Sequence, residues 1–301
     1  MITGYLHPAY ADSLSEFGLP YELPACGGWI LKRRIPDFSD FDAMGCYPIF
    51  ACQDWSRLHQ DLNEISDDPV CLGLVTDPFG DYDQAYLRRC FSDVMIPFKE
   101  HFIVDYAAPV WKISSHHRYY MRKARQEMQI EVCDDPVQHL DDWESLYKNL
   151  IIRNGLKGIK TFSRAAFTKQ LVIPGVVMLR ASRDDVILGA MIWFIQESIG
   201  YSHLTAISEA GYQLRASYGL YGYAIEYFAS RVRYLDLGAG AGLVSDETDG
   251  LTLFKSGWTS MTRTAYFCGR IFNPSRYAAI AEARGQIEEN YFPSYRRGEF
   301  A

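Results

Sequence analysis

Between Val232 and Trp258 the sequence holds its densest grouping of residues that could do chemistry. An apolar run ends Leu235-Asp236-Leu237, a glycine-rich segment Gly238-Ala239-Gly240-Ala241-Gly242 follows, and further on stand Phe254-Lys255 and Trp258. A strand that stops in glycines lets backbone come close to a bound cofactor, because glycine has no Cβ to obstruct it. Asp236 can orient a partner or cap a turn, and a fixed lysine can hold an anion. A second grouping, Ser114-Ser115-His116-His117-Arg118-Tyr119-Tyr120-Met121-Arg122-Lys123-Ala124-Arg125, is the one basic cluster. On a helix capped by Ser114 or Ser115, Arg118, Arg122 and Arg125 share a face. Convergent guanidinium groups suit the phosphates or carboxylates of a substrate, and a solvated basic face between two domains is the alternative. His203 titrates in the range useful for proton transfer, although a lone strand histidine is also a common structural residue.

The bulk properties bound what those groups can serve. A chain of 301 residues exceeds what one core usually supports, so two domains are expected, and 48% hydrophobic with 15% aromatic residues gives ample core material. A formal charge of -7 argues against a protein that coats nucleic acid, while leaving room for a local basic patch. The start, Met1-Ile2-Thr3-Gly4-Tyr5-Leu6-His7-Pro8, reads as no signal peptide, and no window approaches the ~18 apolar residues of a membrane helix, so a cytoplasmic protein is expected. The 7 cysteines are scattered among apolar neighbours without a C-x-x-C pair and read as reduced core residues. Cys46, Cys52 and His59 lack a second ligand pair at zinc-site spacing, so no metal is expected.

The elements that must position these residues follow from periodicity. Gly28–Leu31 and Tyr47–Phe50 read as short apolar strands, and Trp55, Leu58, Leu62 and Ile65 recur at helical spacing behind Asp54 as cap. Val70–Val75 is a continuous apolar strand, a helix is expected around Tyr82–Cys90, and Phe98–Asp105 alternates like a strand. After a strand at Gln129–Val132, Trp143, Leu146, Tyr147, Leu150 and Ile151 mark an amphipathic helix, and Ser163 opens another. Val176–Ala181, Val186–Phe194 and Ser198–Ala206 make a three-strand meander, followed by a helix from about Ser217 to Val232. Ser245–Gly250 reads as a polar surface turn, Thr264–Phe272 as a last strand and Pro274–Ala283 as a closing helix, with the aromatic and basic end Tyr291–Phe300 expected to dock.

Two resemblances compete for the central stretch. Leu235-Asp236-Leu237-Gly238-Ala239-Gly240 looks like the first motif of an adenosylmethionine-dependent methyltransferase. That fold needs about four or more further βα units of roughly 30 residues, only 243–301 remain, and the glycines do not open directly into a helix, so this reading is the minor one. The same stretch resembles the FemABX-like branch of the acetyltransferase (GNAT) fold, in which a strand ending Asp-Leu-Gly-Gly or Asp-Phe-Gly is followed by a Phe-Lys pair and an aromatic. Phe254-Lys255 and Trp258 stand there, and Arg118-Tyr-Tyr-Met-Arg122-Lys123-Ala124 resembles the family's Arg-x-x-Ile-Arg-Lys-Ala segment.

The resemblance implies an α+β, GNAT-like fold of mixed, mostly antiparallel sheets, doubled in tandem: a degenerate N-terminal domain over 1–113 and an acyltransferase domain over 114–301. It implies transfer of acyl or aminoacyl groups to amines, often on cell-envelope or glycan precursors, with acyl-coenzyme A or aminoacyl-tRNA as donor. The expected catalytic residues are Lys255, at the family's Phe-Lys lysine, with His203 and Asp236. Arg118, Arg122, Lys123, Tyr201 and Trp258 are expected near the acceptor, and Arg215, Ser217, Tyr218 and Gly219 near the donor, where free amides at a helix start favour phosphates. The usual Arg/Gln-x-x-Gly-x-Gly/Ala signature is missing, since Gln213 leads to Ala216 and Arg215 to Tyr218, which leaves the donor open. A non-catalytic small-molecule or glycan-binding module on the same fold is the alternative of a different class.

Overall fold

The computed structural model describes residues 1–65, 69–108, 112–241, 249–286 and 291–299. Its contacts divide the chain into two units, one formed by Tyr5–Phe98, Lys157–Phe162 and Thr264–Ala301, the other by Met1–Gly4, Lys99–Leu156 and Ser163–Arg263. Each unit thus takes residues from both sides of 113/114, and the division into domains 1–113 and 114–301 stays a proposal about sequence halves. No helix among the described residues is long and apolar enough to cross a membrane.

The first unit begins with α1 (Pro8–Ser13), β1 (Leu19–Leu23), β2 (Gly28–Arg34) and β3 (Phe41–Gly45), then α2 (Leu58–Glu64), β4 (Pro69–Val75) and α3 (Gln84–Cys90). The apolar run predicted as a strand is β4, buried along almost its whole length as an unalternating strand should be. β3 runs parallel to β4, while β1–β2 and β2–β3 are antiparallel. Two of these strands escape the periodicity. β1 carries Pro20 on an edge, and β3 buries Asp42, which ion-pairs with Arg33 and Arg296. Tyr47–Phe50 contributes a single bridge, Phe50 to Thr76, in place of the expected strand. The C-terminal end docks as expected as far as Glu299, with Tyr295 buried and Arg296 on Asp42; Phe300 lies outside the described residues.

The second unit takes β5 (Val94–Asp105) from Lys99 onward, then α4 (Ser115–Glu127), β6 (Gln129–Cys133), α5 (Leu140–Asn154), α6 (Arg164–Gln170), β7 (Val176–Arg183), β8 (Val186–Gln196) and β9 (Ile199–Ile207). It continues with α7 (Glu209–Gln213), α8 (Ala216–Phe228), β10 (Tyr234–Asp236) and α9 (Gly250–Ser256). Then β11 (Thr262–Ile271) and α10 (Pro274–Ala283) complete the first unit, β11 lying antiparallel on β4. Strand order in the second unit is β5-β10-β9-β8-β7-β6, antiparallel throughout except for the parallel pair β9–β10. Both units carry the mixed, mostly antiparallel sheet expected of a GNAT-like α+β fold.

The core of the second unit forms where α8 lies on the sheet. Leu220, Ala224, Ile225 and Phe228 meet Leu179, Met191, Trp193 and Leu235, so the helix is buried nearly all round. α8 stops at Phe228, short of the expected Val232, and a turn over 229–233 leads to β10. α9 is fastened to α4 at Gly257: the Ser114 amide donates to the Gly257 carbonyl, and a Cβ on Gly257 would fall 2.0 Å from the His117 ring. Gly257→Ala is therefore expected to push α9 off α4 and lower stability by about 1–3 kcal/mol, read as a shift of the urea unfolding midpoint.

Candidate active site

β10 is only 3 residues long, and its end is where polar side chains gather. It pairs with β9 from Ile199 to Tyr201, after which β9 runs on to Ile207 alone on that edge among the described residues. Along this stretch β9 bulges: Ile192 opposes Leu204 and Trp193 opposes Ser202, leaving His203 as the extra residue. Ser202 and Thr205 turn toward α8, where they face the buried Tyr221 phenol, whose pKa burial raises. Leu235 points into the core, so Asp236, the next residue, points to the other face.

Asp236 is 2% exposed and fully engaged. Its Oδ1 accepts the Gly238 amide at 2.7 Å, a turn that the left-handed Gly238 (φ +77) completes and that ends the strand. Its Oδ2 lies 2.8 Å from Nδ1 of His101 on β5. A carboxylate only accepts, so that histidine nitrogen carries the hydrogen.

Lys255 enters from α9. Asp249 caps the helix by accepting the Leu251 amide at 2.8 Å, the Thr252 amide at 3.2 Å and the Thr252 hydroxyl. Lys255 sits in the last turn, 6% exposed, and its Nζ donates to the Ala239 carbonyl at 2.7 Å. Burial pushes its pKa down to about 8, with Asp236 and Asp249 opposing and Lys99 assisting the fall. The neighbouring Phe254 packs inward, its ring 5.0 Å from those of Tyr218 and Tyr221. Trp258 is wholly buried and stacks on Tyr221 at 6.2 Å; its Nε1 has no hydrogen-bond partner among the described residues. His117 fixes the arrangement from α4, its Nε2 donating to the Phe254 carbonyl at 2.7 Å and its Nδ1 lying 2.9 Å from Ser114 Oγ. Burial lowers the pKa of His117, the Phe254 carbonyl opposing.

Lys255 thus lies near enough to Asp236 for the carboxylate to oppose the fall of its pKa, and Trp258 packs on Tyr221 and Phe254. Tyr201 is buried as the strand partner of Asp236 on β9. Arg118, Arg122 and Lys123 are exposed on α4, with Arg122 Nε donating to the Arg118 carbonyl; Arg125 pairs instead with Glu226 at 2.7 Å. Arg215 is the left-handed N-cap of α8 and lies 5.2 Å over the Tyr120 ring. Behind it Ser217 and Tyr218 are half-buried and Gly219 is buried. Tyr218 meets the rings of His116, His117 and Tyr120, which links the α8 start to the α4 start.

His203 stands apart. Its ring is buried against Phe194, with Nε2 3.3 Å from Gln170 Oε1 on α6, and burial pushes its pKa to about 3, so it is neutral at pH 7. The sequence reading missed His101, His117 and the Asp249 cap. The alternation of Phe98–Asp105 could have shown that His101 and Ile103 share a face, but nothing in it names Asp236 as partner. Of the polar turn expected over 245–250, only Asp249 and Gly250 are described, and they open α9; Gly242 is also outside the described residues.

This architecture is a fold shared with solved structures of the FemX type. No family model and no curated protein matches the chain. Among solved structures, FemX is 12% identical with a TM-score of 0.67, over 90% of this chain and 93% of its own. L-PGS from Bacillus licheniformis is 15% identical with a TM-score of 0.60, over 90% and 94%. A C-terminal domain assigned to a lysylphosphatidylglycerol synthetase from Agrobacterium fabrum is 12% identical with a TM-score of 0.59, over 90% and 92%. The methyltransferase alternative falls with the fold: β10 ends in the Gly238 turn, and its carboxylate is spent on Gly238 and His101.

The buried ammonium has a measurable signature. Below pH 8 Lys255 is charged in both folded and unfolded chains; between about 8 and 10.5 the folded chain sheds the proton that the unfolded chain keeps, so stability recovers as pH rises. Lys255→Met removes this recovery. The unfolding free-energy advantage of the variant over wild type is expected to shrink by about 3 kcal/mol between pH 7 and pH 11, measured by urea titration at each pH.

Proposed function

We propose that this chain is an N-acyltransferase that moves an acyl or aminoacyl group from a carrier to the amine of a small-molecule, cell-envelope or glycan precursor. The observation that carries the reading is the buried Lys255 ammonium, held by the Ala239 carbonyl and favoured by the nearby Asp236 carboxylate, where β10 ends and β9 runs on without a partner on that edge among the described residues, in a fold shared with FemX. The name of a second neighbour, lysylphosphatidylglycerol synthetase, supports aminoacyl transfer in particular.

The chemistry needs the donor carbonyl held, the amine delivered unprotonated and the tetrahedral oxyanion stabilised. Lys255 supplies the fixed cation. It is pre-oriented by its Ala239 contact and by Phe254 packing, so little reorganisation is needed when negative charge develops. The donor's phosphates would meet the first amides of α8, which no side chain caps, with Arg215, Ser217, Tyr218 and Gly219 around them. The exposed Arg118, Arg122 and Lys123 would serve anionic parts of acceptor or carrier. Acyl-coenzyme A and aminoacyl-tRNA both fit this donor description, and His203, neutral and bound to Gln170, serves the fold of β9 in this reading.

Because the cation role requires the protonated lysine, kcat/KM should fall as pH rises through about 8. Assays with acetyl-coenzyme A and alanyl-tRNA against amine acceptors should show that alkaline limb in wild type and not in Lys255→Arg, with a loss of about 10²–10³ in Lys255→Met. Full activity in Lys255→Met would remove the central assignment. Thermal protection by a donor without any transfer would favour the binding-module reading instead.

A further inference from the structure

Lys255 and Asp236 leave one requirement of amine acylation unmet: a group that accepts the proton the amine nitrogen sheds. His203 is turned away toward Gln170, and His117 has both ring nitrogens engaged by Ser114 and the Phe254 carbonyl. His101 is different. Its Nδ1 is committed to Asp236 Oδ2 at 2.8 Å, while its Nε2 has no partner among the described residues, on a side chain 11% exposed. Because Nδ1 carries the hydrogen, Nε2 presents a lone pair.

Neighbouring backbone holds the two side chains in register. Leu237 donates to the Phe102 carbonyl and Phe102 to the Gly238 carbonyl, so β5 is bonded to the two residues that follow Asp236. The Gly238 amide occupies Asp236 Oδ1, which leaves Oδ2 for His101. The ionisable groups that act on Asp236 are Lys255 of α9 and the Tyr221 phenol of α8, and Lys255 itself is also acted on by its helix cap Asp249 and by Lys99 of β5.

We propose that His101, held by Asp236, is the base of the acyl transfer, a step that rests on the transferase reading above. The neutral amine attacks the donor carbonyl, a C–N bond forms, and the carbonyl π pair moves onto oxygen, where the Lys255 ammonium holds it. The amine proton passes to Nε2 of His101, and Asp236 stabilises the resulting imidazolium. The intermediate then collapses: the carbonyl re-forms, the bond from the acyl carbon to the carrier's sulfur or oxygen breaks, and Nε2 returns its proton to that leaving atom. Asp236 is a positioning residue here and His101 a catalytic one.

Two measurements on the full chain test this. With acetyl-coenzyme A and alanyl-tRNA as donors, His101→Gln should lower kcat about 10²–10⁴-fold with KM little changed. His101→Ala should recover part of the loss in added imidazole. Asp236→Asn is the sharper variant. The Gly238 amide would keep the asparagine oxygen, so the asparagine NH₂ would face Nδ1 and force the hydrogen onto Nε2, removing the lone pair. Imidazole ¹⁵N spectra of wild type should show His101 with hydrogen on Nδ1, and of Asp236→Asn with hydrogen on Nε2. An Nε2–H tautomer in wild type overturns the proposal whatever the activity. A wild type that transfers while His101→Gln keeps its rate overturns the proposal alone; a wild type that transfers from neither donor overturns the transferase reading with it.

Discussion

A carboxylate buried at a strand end is the constraint on which this structure turns. Asp236 has given up water, so each of its oxygens must find a donor, and the chain supplies them from two directions: the Gly238 amide, bent back by a left-handed turn, and His101 from the adjacent strand. The same charge makes Lys255 tolerable. An isolated ammonium this deep would be driven further toward its neutral form; Asp236 and Asp249 pull it back, and the outcome is a lysine near 8 rather than one permanently uncharged. Removing the carboxylate would therefore undo a turn, a tautomer and a cation together.

The position of that cation is set from the apolar side. α9 is short, and its own hydrogen bonds could not hold a buried lysine in one place. Rings do so instead: Phe254 and Trp258 are clasped by Tyr218 and Tyr221 of α8 and by His117 of α4, and His117 also donates to the backbone of Phe254. The close approach at Gly257 is a consequence, since any side chain there would meet the His117 ring. Rigid aromatic packing on one face of α9 thus buys the placement of a charge on the other.

How much of this was legible in the sequence depends on the kind of signal each residue left. The β4 run, the β7–β8–β9 meander and α8 are long apolar patterns, and they folded as their periodicity predicts. β3 was illegible because its most buried residue is Asp42, whose burial is supported by two arginines, one of them at the far end of the chain. Lys255 and Asp236 were singled out because a resemblance marks them, and their nearness in the fold follows from strand and helix placement that periodicity does not give. His101 left no mark, since a histidine on a strand says nothing about which carboxylate faces it until the strand order is known. His203 drew attention for the same lack of context, and the bulge that turns it toward α6 follows from the β8–β9 register, invisible in the alternation itself. Trp258 was placed near the acceptor by the resemblance alone, and in the structure its ring is wholly buried and stacked on Tyr221.

The electrostatics also constrain how the site can work as a whole. A transferase that uses Lys255 as cation and His101 as proton acceptor needs opposite protonation states in two groups that share Asp236 as neighbour. The carboxylate stabilises positive charge on either, so it supports the lysine before reaction and the imidazolium during it. Were His101 to take the proton, the pair it forms with Asp236 would become less negative toward Lys255, and the ammonium, held at the Ala239 carbonyl, would have the oxyanion as its anionic counterpart. Proton transfer and oxyanion stabilisation would in this way reinforce one another, with the working range closed on the alkaline side where Lys255 loses its proton near pH 8.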